Sequence, residues 1–305
     1  MGRRLRVGIR KRCDGTLLKN LPAFRIINPY VMKGRNESAV YFSHDLRMKK
    51  AIEFIRKYNN GNGKNGENGK RLALFHVILC GIVRALALRP QLNRFVSGKK
   101  LYQRNRIQLS FIVKKELTEE GEESNVKITF SPFDTLEDVI EKVNREVEKA
   151  RAETGNESDH EIEFFTKLPR SILTICIQAF KTLDYFGIAP SEMIRLDPLY
   201  TSIFVANLGS VGLDAPYHHM YEWGNASLFA TIGKLRKGLV LGEGGVPVVE
   251  DLLTMCYTFD DRISEGMYAA RAIDMFKKFI ENPELLMEKP DIPVEVLKEH
   301  MLVDE

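Results

Sequence analysis

Cysteine, tryptophan and long apolar runs are scarce in this chain, and each shortage narrows what it can be. Only four cysteines occur among 305 residues, Cys13, Cys80, Cys176 and Cys256, and none forms a CxxC pair. A metal or redox motif of that spacing is therefore excluded. Cys80, Cys176 and Cys256 sit in apolar surroundings, which reads as buried free thiols in a reducing, cytoplasmic setting. The longest apolar run, Leu72–Val83, contains His76 and is ended by Arg84. It falls short of the ~20 residues needed to span a bilayer, so no membrane span is expected. No apolar segment with a small-residue cleavage site follows the basic N-terminus, so no secretory signal is expected there.

Excess charge is also missing. The net charge is +4, and much of it lies in Arg3, Arg4, Arg6, Arg10, Lys11 and Arg12. No aromatic or glycine-rich nucleic-acid motif accompanies that run. Residues 1–20 read as a solvated basic arm, and no nucleic-acid partner is expected. The glycine-rich stretch Asn59–Lys70 lacks the GxxxxGK[ST] order of a phosphate cradle and reads as a surface loop.

What is present is an ordinary globular composition, 44% hydrophobic and 28% charged, in a chain long enough for a large core. The patterns interleave strands and helices. Ala39–Phe42 is a short strand candidate, and His44–Tyr58 reads as a helix with a basic outer face. Residues 71–89 are apolar on almost every side, so they form a buried helix in which His76 is a satisfied core histidine. Gln91–Gln103 reads as a connector around Ser97-Gly98. Ile107–Lys115 and Asn125–Phe130 form a hairpin, and Asp134 caps a helix over Leu136–Ala152. Glu161–Leu168, Ser171–Phe186 and Ser191–Leu196 suggest short apolar helices, followed by strands at Thr201–Asn207 and Ser227–Gly233. Glu284–Glu305 is a polar tail with a weak helix at Pro293–Met301. The pattern gives an α/β (α+β) class with a mixed sheet and helices on one face, without an internal repeat.

The stretch Thr254–Gly266, TMCYTFDDRISEG, is a strand, a tight polar turn and a helix start. Met255, Tyr257 and Phe259 alternate with polar or small residues. After Gly266, apolar positions from Met267 to Ile280 follow helical spacing, and Pro283 lies just past the end. On local pattern alone, a polar turn joining two core elements needs no chemistry.

Three stretches together carry a family resemblance. They are Leu72–Phe95, LALFHVILCGIVRALALRPQLNRF; Ser202–Gly233, SIFVANLGSVGLDAPYHHMYEWGNASLFATIG; and Thr258–Leu286, TFDDRISEGMYAARAIDMFKKFIENPELL. In this order and spacing the chain resembles the catalytic domain of the acyltransferase component of 2-oxo-acid dehydrogenase complexes, which shares the chloramphenicol acetyltransferase-like fold. The resemblance implies a two-layer sandwich over residues 21–287, followed by a tail over 288–305. It implies a homotrimer, or an assembly of trimers, with active sites between subunits and coenzyme A or acyl-CoA as substrate. No lipoyl domain is found in the sequence, so a stand-alone protein without a covalent lipoyl group is expected.

The resemblance also implies a mechanism from which this chain departs. The family motif is His-x-x-x-Asp-Gly, whose histidine is the general base. Here Asp261 stands at the histidine position and Glu265 replaces the aspartate. The family's oxyanion-stabilising Ser or Thr precedes Asn-Leu-Gly. Here Ala206 precedes Asn207-Leu208-Gly209, leaving Asn207 as the residue carried over for cofactor binding. A thiol has a pKa of about 8.5, an imidazole about 6.5 and an aspartate about 3.9, so aspartate is a weaker base by ~2.6 units, or roughly 3.5 kcal/mol. Loss of an oxyanion donor costs another ~2.7–4 kcal/mol.

His218 and His219 lie in an aromatic loop with the single tryptophan, Trp223. One of them could serve as a relocated base, or both could stabilise a subunit contact. A pair alone does not make a metal site, and none is assigned. Two functions follow. One is an acyltransferase with altered catalytic groups, Asp261 with Glu265 or a histidine. The other is an inactive trimeric scaffold that binds coenzyme A, an acyl ligand or a protein partner. The apolar stretch Phe164–Phe186 suits an acyl pocket, a subunit contact or simple core packing.

Overall fold

Two fourteen-residue strands, Leu228–Leu241 (β8) and Pro247–Asp260 (β9), form a long antiparallel hairpin at the centre of the molecule. The structure is a computed structural model that describes residues 12–61, 71–115, 121–152 and 166–303. Ala39–Arg47 (β2) pairs antiparallel with β9 on one side. On the other side, Ile203–Asn207 (β7) runs parallel to β8 and to Ile107–Lys114 (β5). Glu123–Phe130 (β6) closes the edge as the hairpin partner of β5. The result is a six-stranded mixed sheet of order β2-β9-β8-β7-β5-β6.

The alternation of β7, β8 and β9 decides which face is covered by helices. Ile203, Val205, Ala230, Ile232 and Met255 join the main core with Leu74–Leu88 (α3), Leu136–Arg151 (α4) and Gly266–Glu281 (α7). Lys49–Gly61 (α2) packs at the rim of this layer through Ala51. α3 is buried from His76 to Ala87, which explains why its sequence is apolar all round. Phe204 and Phe229 point to the opposite face and pack there with Met220. The expected two-layer sandwich, mixed sheet and helix layer are therefore present.

A second sheet, of order β1-β4-β3, contains Gly15–Leu17 (β1), Arg94–Ser97 (β3) and Lys100–Arg104 (β4). Gly98 and Lys99 both have positive φ, 55° and 59°, as a tight β3–β4 hairpin of the primed type requires. A Cβ on Gly98 would lie 2.0 Å from the Tyr185 carbonyl oxygen, so this turn abuts the end of Arg170–Tyr185 (α5). Among the described residues the remaining α-helices are Ala23–Val31 (α1), Ser191–Leu196 (α6) and Val294–His300 (α8).

Several expectations need correction. The segment expected to be a helix from His44 begins as strand, because β2 continues to Arg47 in register with Leu252. Cross-strand pairing with β9 overrides its mixed pattern. Gln91–Gln103 is not a plain connector but carries β3 and β4. Thr135, not Asp134, caps α4, through a reciprocal pair with Asp138. The Asp134 carboxylate instead takes the Ser131 amide and pairs with Lys142. Arg12 does not belong to a solvated arm. It is buried, pairs with Asp14 and Asp184, and donates to Ser97. The tail is not wholly polar, because His300 is fully buried against the Ala87 carbonyl. The first eleven residues of the expected arm, most of the Asn59–Lys70 loop and residues 161–165 lie outside the described residues.

Candidate functional site

β9 delivers the polar turn to one end of the sheet. The Asp260 amide donates to the Ser227 carbonyl at 3.0 Å, and the Asp261 amide donates to the Ser38 carbonyl at 2.9 Å. Asp260 itself is fully buried. Arg262 grips both of its carboxylate oxygens, with Nε at 2.8 Å and Nη2 at 2.7 Å. The same guanidinium donates to the carbonyls of Met32 and Lys33. The turn is thus tied to the segment after α1 as well as to the sheet. Ion pairing this complete leaves Asp260 as a structural acid.

Asp261 differs from its neighbour. It is half-buried, and among the described residues its carboxylate takes no hydrogen bond. Its carbonyl accepts from Arg25 at 3.4 Å. Glu265 begins α7 without making a side-chain cap and is largely exposed, 3.9 Å from Arg25. Asp261 and Glu265 therefore share Arg25 as a neighbour but not a proton.

The histidine loop crosses the face of the sheet opposite the helices. Thr231 donates to the Pro216 carbonyl, Cys256 to Ala215 and Thr258 to His218. The His218 ring stacks on Phe229 with centroids 4.0 Å apart, and His219 stacks on His218 at 4.8 Å. Nδ1 of His218 lies 2.6 Å from the His219 carbonyl, and Nδ1 of His219 lies 2.9 Å from that of Met220. A carbonyl accepts only, so each Nδ1 is the donor in its contact. Neither ring is bonded to Asp261.

Asn207 lies farther away. It ends β7 opposite Ile232, which in turn faces Met255 on β9, six residues before Asp261. At ~3.4 Å per residue that separates the two by about 20 Å. Ala206 projects beside Thr231 and Cys256, two strand positions with their own partners in the histidine loop. Within one chain the residues expected to act together are thus spread over three places.

Sequence reasoning did not single out Arg35. Its buried guanidinium donates to the carbonyls of Tyr221 and Gly224 and, among the described residues, has no carboxylate bonded to it. Burial is the main influence and pushes its pKa down, while Asp260 and Glu222 oppose that. Burial also works to raise the Glu222 carboxyl, but the amides of Asn36 and Arg35 and the Arg35 charge hold it below the ordinary range. The DxR spacing of Asp260 and Arg262 was a usable signal for the ion pair; nothing local marks Arg35. Among the described residues there is no cluster of three or more His, Cys, Asp or Glu that could hold a metal ion. Nor is any described helix long and apolar enough to cross a membrane.

The family model for 2-oxoacid dehydrogenases acyltransferase (catalytic domain) matches residues 199–288, which span β7, β8, the histidine loop, β9 and α7. No curated protein matches the chain by sequence. Among solved structures, the chain is similar to the cubic core of the pyruvate dehydrogenase multienzyme complex, with 14% identity and a TM-score of 0.58 over 88% of this chain and 93% of that one. A probable dihydrolipoamide acetyltransferase from Listeria monocytogenes gives 14% identity and a TM-score of 0.56, covering 87% and 94% of the two chains. The dihydrolipoamide acetyltransferase of Azotobacter vinelandii, in which a serine, a histidine and an asparagine were investigated for their role in catalysis, gives 14% and 0.58 over 88% and 93%. The chain therefore has the fold of these acyltransferase cores and resembles the catalytic domain of the 2-oxo-acid dehydrogenase acyltransferase component.

Proposed function

We propose that this protein is an acyltransferase-fold scaffold that has lost acyl transfer at its own motif, keeps binding of coenzyme A thioesters, and assembles as a homotrimer. The observation that carries this reading is the split fate of the motif's two acids. Asp260 and Arg262 keep the turn in shape, while Asp261 offers a carboxylate without an imidazole bonded to it. In model compounds a carboxylate is a weaker base than an imidazole by roughly 3.5 kcal/mol. Ala206 supplies no hydroxyl for a developing oxyanion, which removes a further ~2.7–4 kcal/mol. The fold around these positions persists, so a binding role needs no other change. The test measures thiol release and coenzyme A binding together. Saturable binding without turnover across a panel of acyl-CoA thioesters supports the scaffold.

A second reading rests on the separation of Asn207 from Asp261. Groups about 20 Å apart in one chain can meet only across a contact between copies. In that reading Asp261 of one copy meets Asn207 of another, and His218 or His219, whose Nε2 atoms make no hydrogen bond among the described residues, serves as the base. Turnover that is lost in both Asp261→Asn and His219→Ala supports this reading and removes the first. The acceptor, and any membership of a dehydrogenase complex, are separate questions for the same assay with thiol and hydroxyl acceptors.

A further inference from the structure

A polar basin of about 220 Å³ opens beside the motif turn, between the β3–β4 hairpin, the end of α5 and the segment after α1. Lys33, Arg35, Lys99 and Lys181 stand on its wall. None of the three lysines has a carboxylate partner among the described residues, and all three are exposed. Arg35 is only 8% exposed, yet among the described residues its guanidinium hydrogen-bonds only to carbonyl oxygens and its Nε has no partner. The two acids of the wall are already engaged. Asp184 is held by Arg12 and Ser97, and Glu222 by the amides of Arg35 and Asn36 and the Asn36 side chain. Arg262, also on the wall, is neutralised by Asp260.

Arg35 is buried with an Nε donor unmet among the described residues, a cost that an anion at this wall would offset, and three solvent-exposed lysines stand beside it. The hairpin geometry adds to this. Lys99 is a non-glycine residue at a φ of 59°, a conformation tolerated where the surroundings impose it, and it brings the side chain to the basin rim. A water takes up about 30 Å³ of liquid, so the space exceeds what one or two ordered waters need.

We propose that this basin binds the phosphate group of a small phosphorylated molecule, with Arg35, Lys33, Lys99 and Lys181 as its cationic wall. A phosphate monoester carries close to two negative charges at neutral pH and presents three acceptor oxygens. Three acceptor oxygens suit several cationic donors better than one carboxylate does. The aromatic side of the basin, Tyr185 and Trp223, leaves room for the organic part of the molecule. The site lies within one chain and does not depend on acyl transfer.

The test is calorimetric titration of the full chain with inorganic phosphate at fixed ionic strength. Saturable binding of one phosphate per chain is expected. The double variant Lys99→Glu/Lys181→Glu, altered only at exposed positions, should bind at least tenfold more weakly with an unchanged thermal midpoint. Arg35→Lys should weaken binding as well, because a lysine cannot reproduce the guanidinium fork. No saturable binding, or equal binding by the double variant, overturns the proposal. Competition then separates two sources of the phosphate. Displacement by coenzyme A but not by dephospho-coenzyme A assigns the site to a coenzyme's 3′-phosphate. Phosphate binding that neither compound displaces assigns it to a separate metabolite.

Discussion

Asp260 and Arg262, two residues apart on one turn, form a closed two-pronged ion pair with both side chains buried. The pair uses both carboxylate oxygens, and the remaining Nη1 donor reaches the Met32 and Lys33 carbonyls. Removing one member leaves a buried charge without its partner, which costs ~3–5 kcal/mol. Asp260→Asn should therefore lower unfolding stability by that order in urea titration. Asp261→Asn, at a half-buried carboxylate with no bonded partner, should change it by less than about 0.5 kcal/mol. Equal effects at the two positions would show that the two acids do not have separate jobs.

His44 makes folding sensitive to acid. It lies on β2 between Tyr257 and α7, and neither ring nitrogen has a hydrogen-bond partner among the described residues. Burial is the largest influence and pushes its pKa down to about 4. Lys277 adds to this, while Asp45 and Asp274 act against it. The unfolded chain takes up the proton near pH 6.5, the folded chain only near 4. Stability from this group is complete above about pH 6.5 and is lost as pH falls from there to about 4. Thermal midpoints measured across that window should fall less steeply for His44→Phe than for the parent. Parallel curves would remove the assignment.

The β3–β4 turn should resist any side chain at its first central position. Gly98 has a φ of 55°, and a Cβ there would meet the Tyr185 carbonyl oxygen at 2.0 Å. Gly98→Ala should destabilise by more than about 1 kcal/mol in denaturant titration, combining the φ penalty with that clash. It should also weaken phosphate binding, because Lys99 sits on the same turn. A neutral Gly98→Ala would show that the hairpin and α5 separate readily.

Thr258 links the sheet to the histidine loop. Its hydroxyl donates to the His218 carbonyl at 2.5 Å and is buried. Thr258→Val removes the donor and leaves that carbonyl unmet, at a cost of ~1–3 kcal/mol. Hydrogen exchange should show faster protection loss through residues 216–223 in the variant. An unchanged loop would mean that ring stacking on Phe229 alone holds it.

These relationships were legible in the sequence to different degrees. The alternation Met255, Tyr257, Phe259 and the helical spacing after Gly266 gave β9 and α7 directly, because larger apolar residues on β9 alternate with small or polar ones and α7 buries one face. α3 was readable because it is apolar all round. β3 and β4 were hidden, since strands of four and five residues around a Ser-Gly-Lys-Lys turn carry too little alternation to mark them. α1 was hidden by Pro29 inside it. At the site, the substitution at Asp261 was visible because a motif surrounds it. The isolation of Asp261 from His218 and His219 was not, because the ring orientations are set by carbonyls of their own loop. Arg35 was invisible for a similar reason: its partners are backbone oxygens nearly 190 residues away.

The most direct measurement is turnover of the parent protein with a panel of acyl-CoA thioesters, read by thiol release beside coenzyme A binding. The parent should bind coenzyme A saturably and release no thiol above background. The double variant Asp261→His/Ala206→Ser, which restores both missing groups on an intact scaffold, should gain measurable turnover. Turnover by the parent that Asp261→Asn abolishes would contradict the scaffold and make Asp261 a working base.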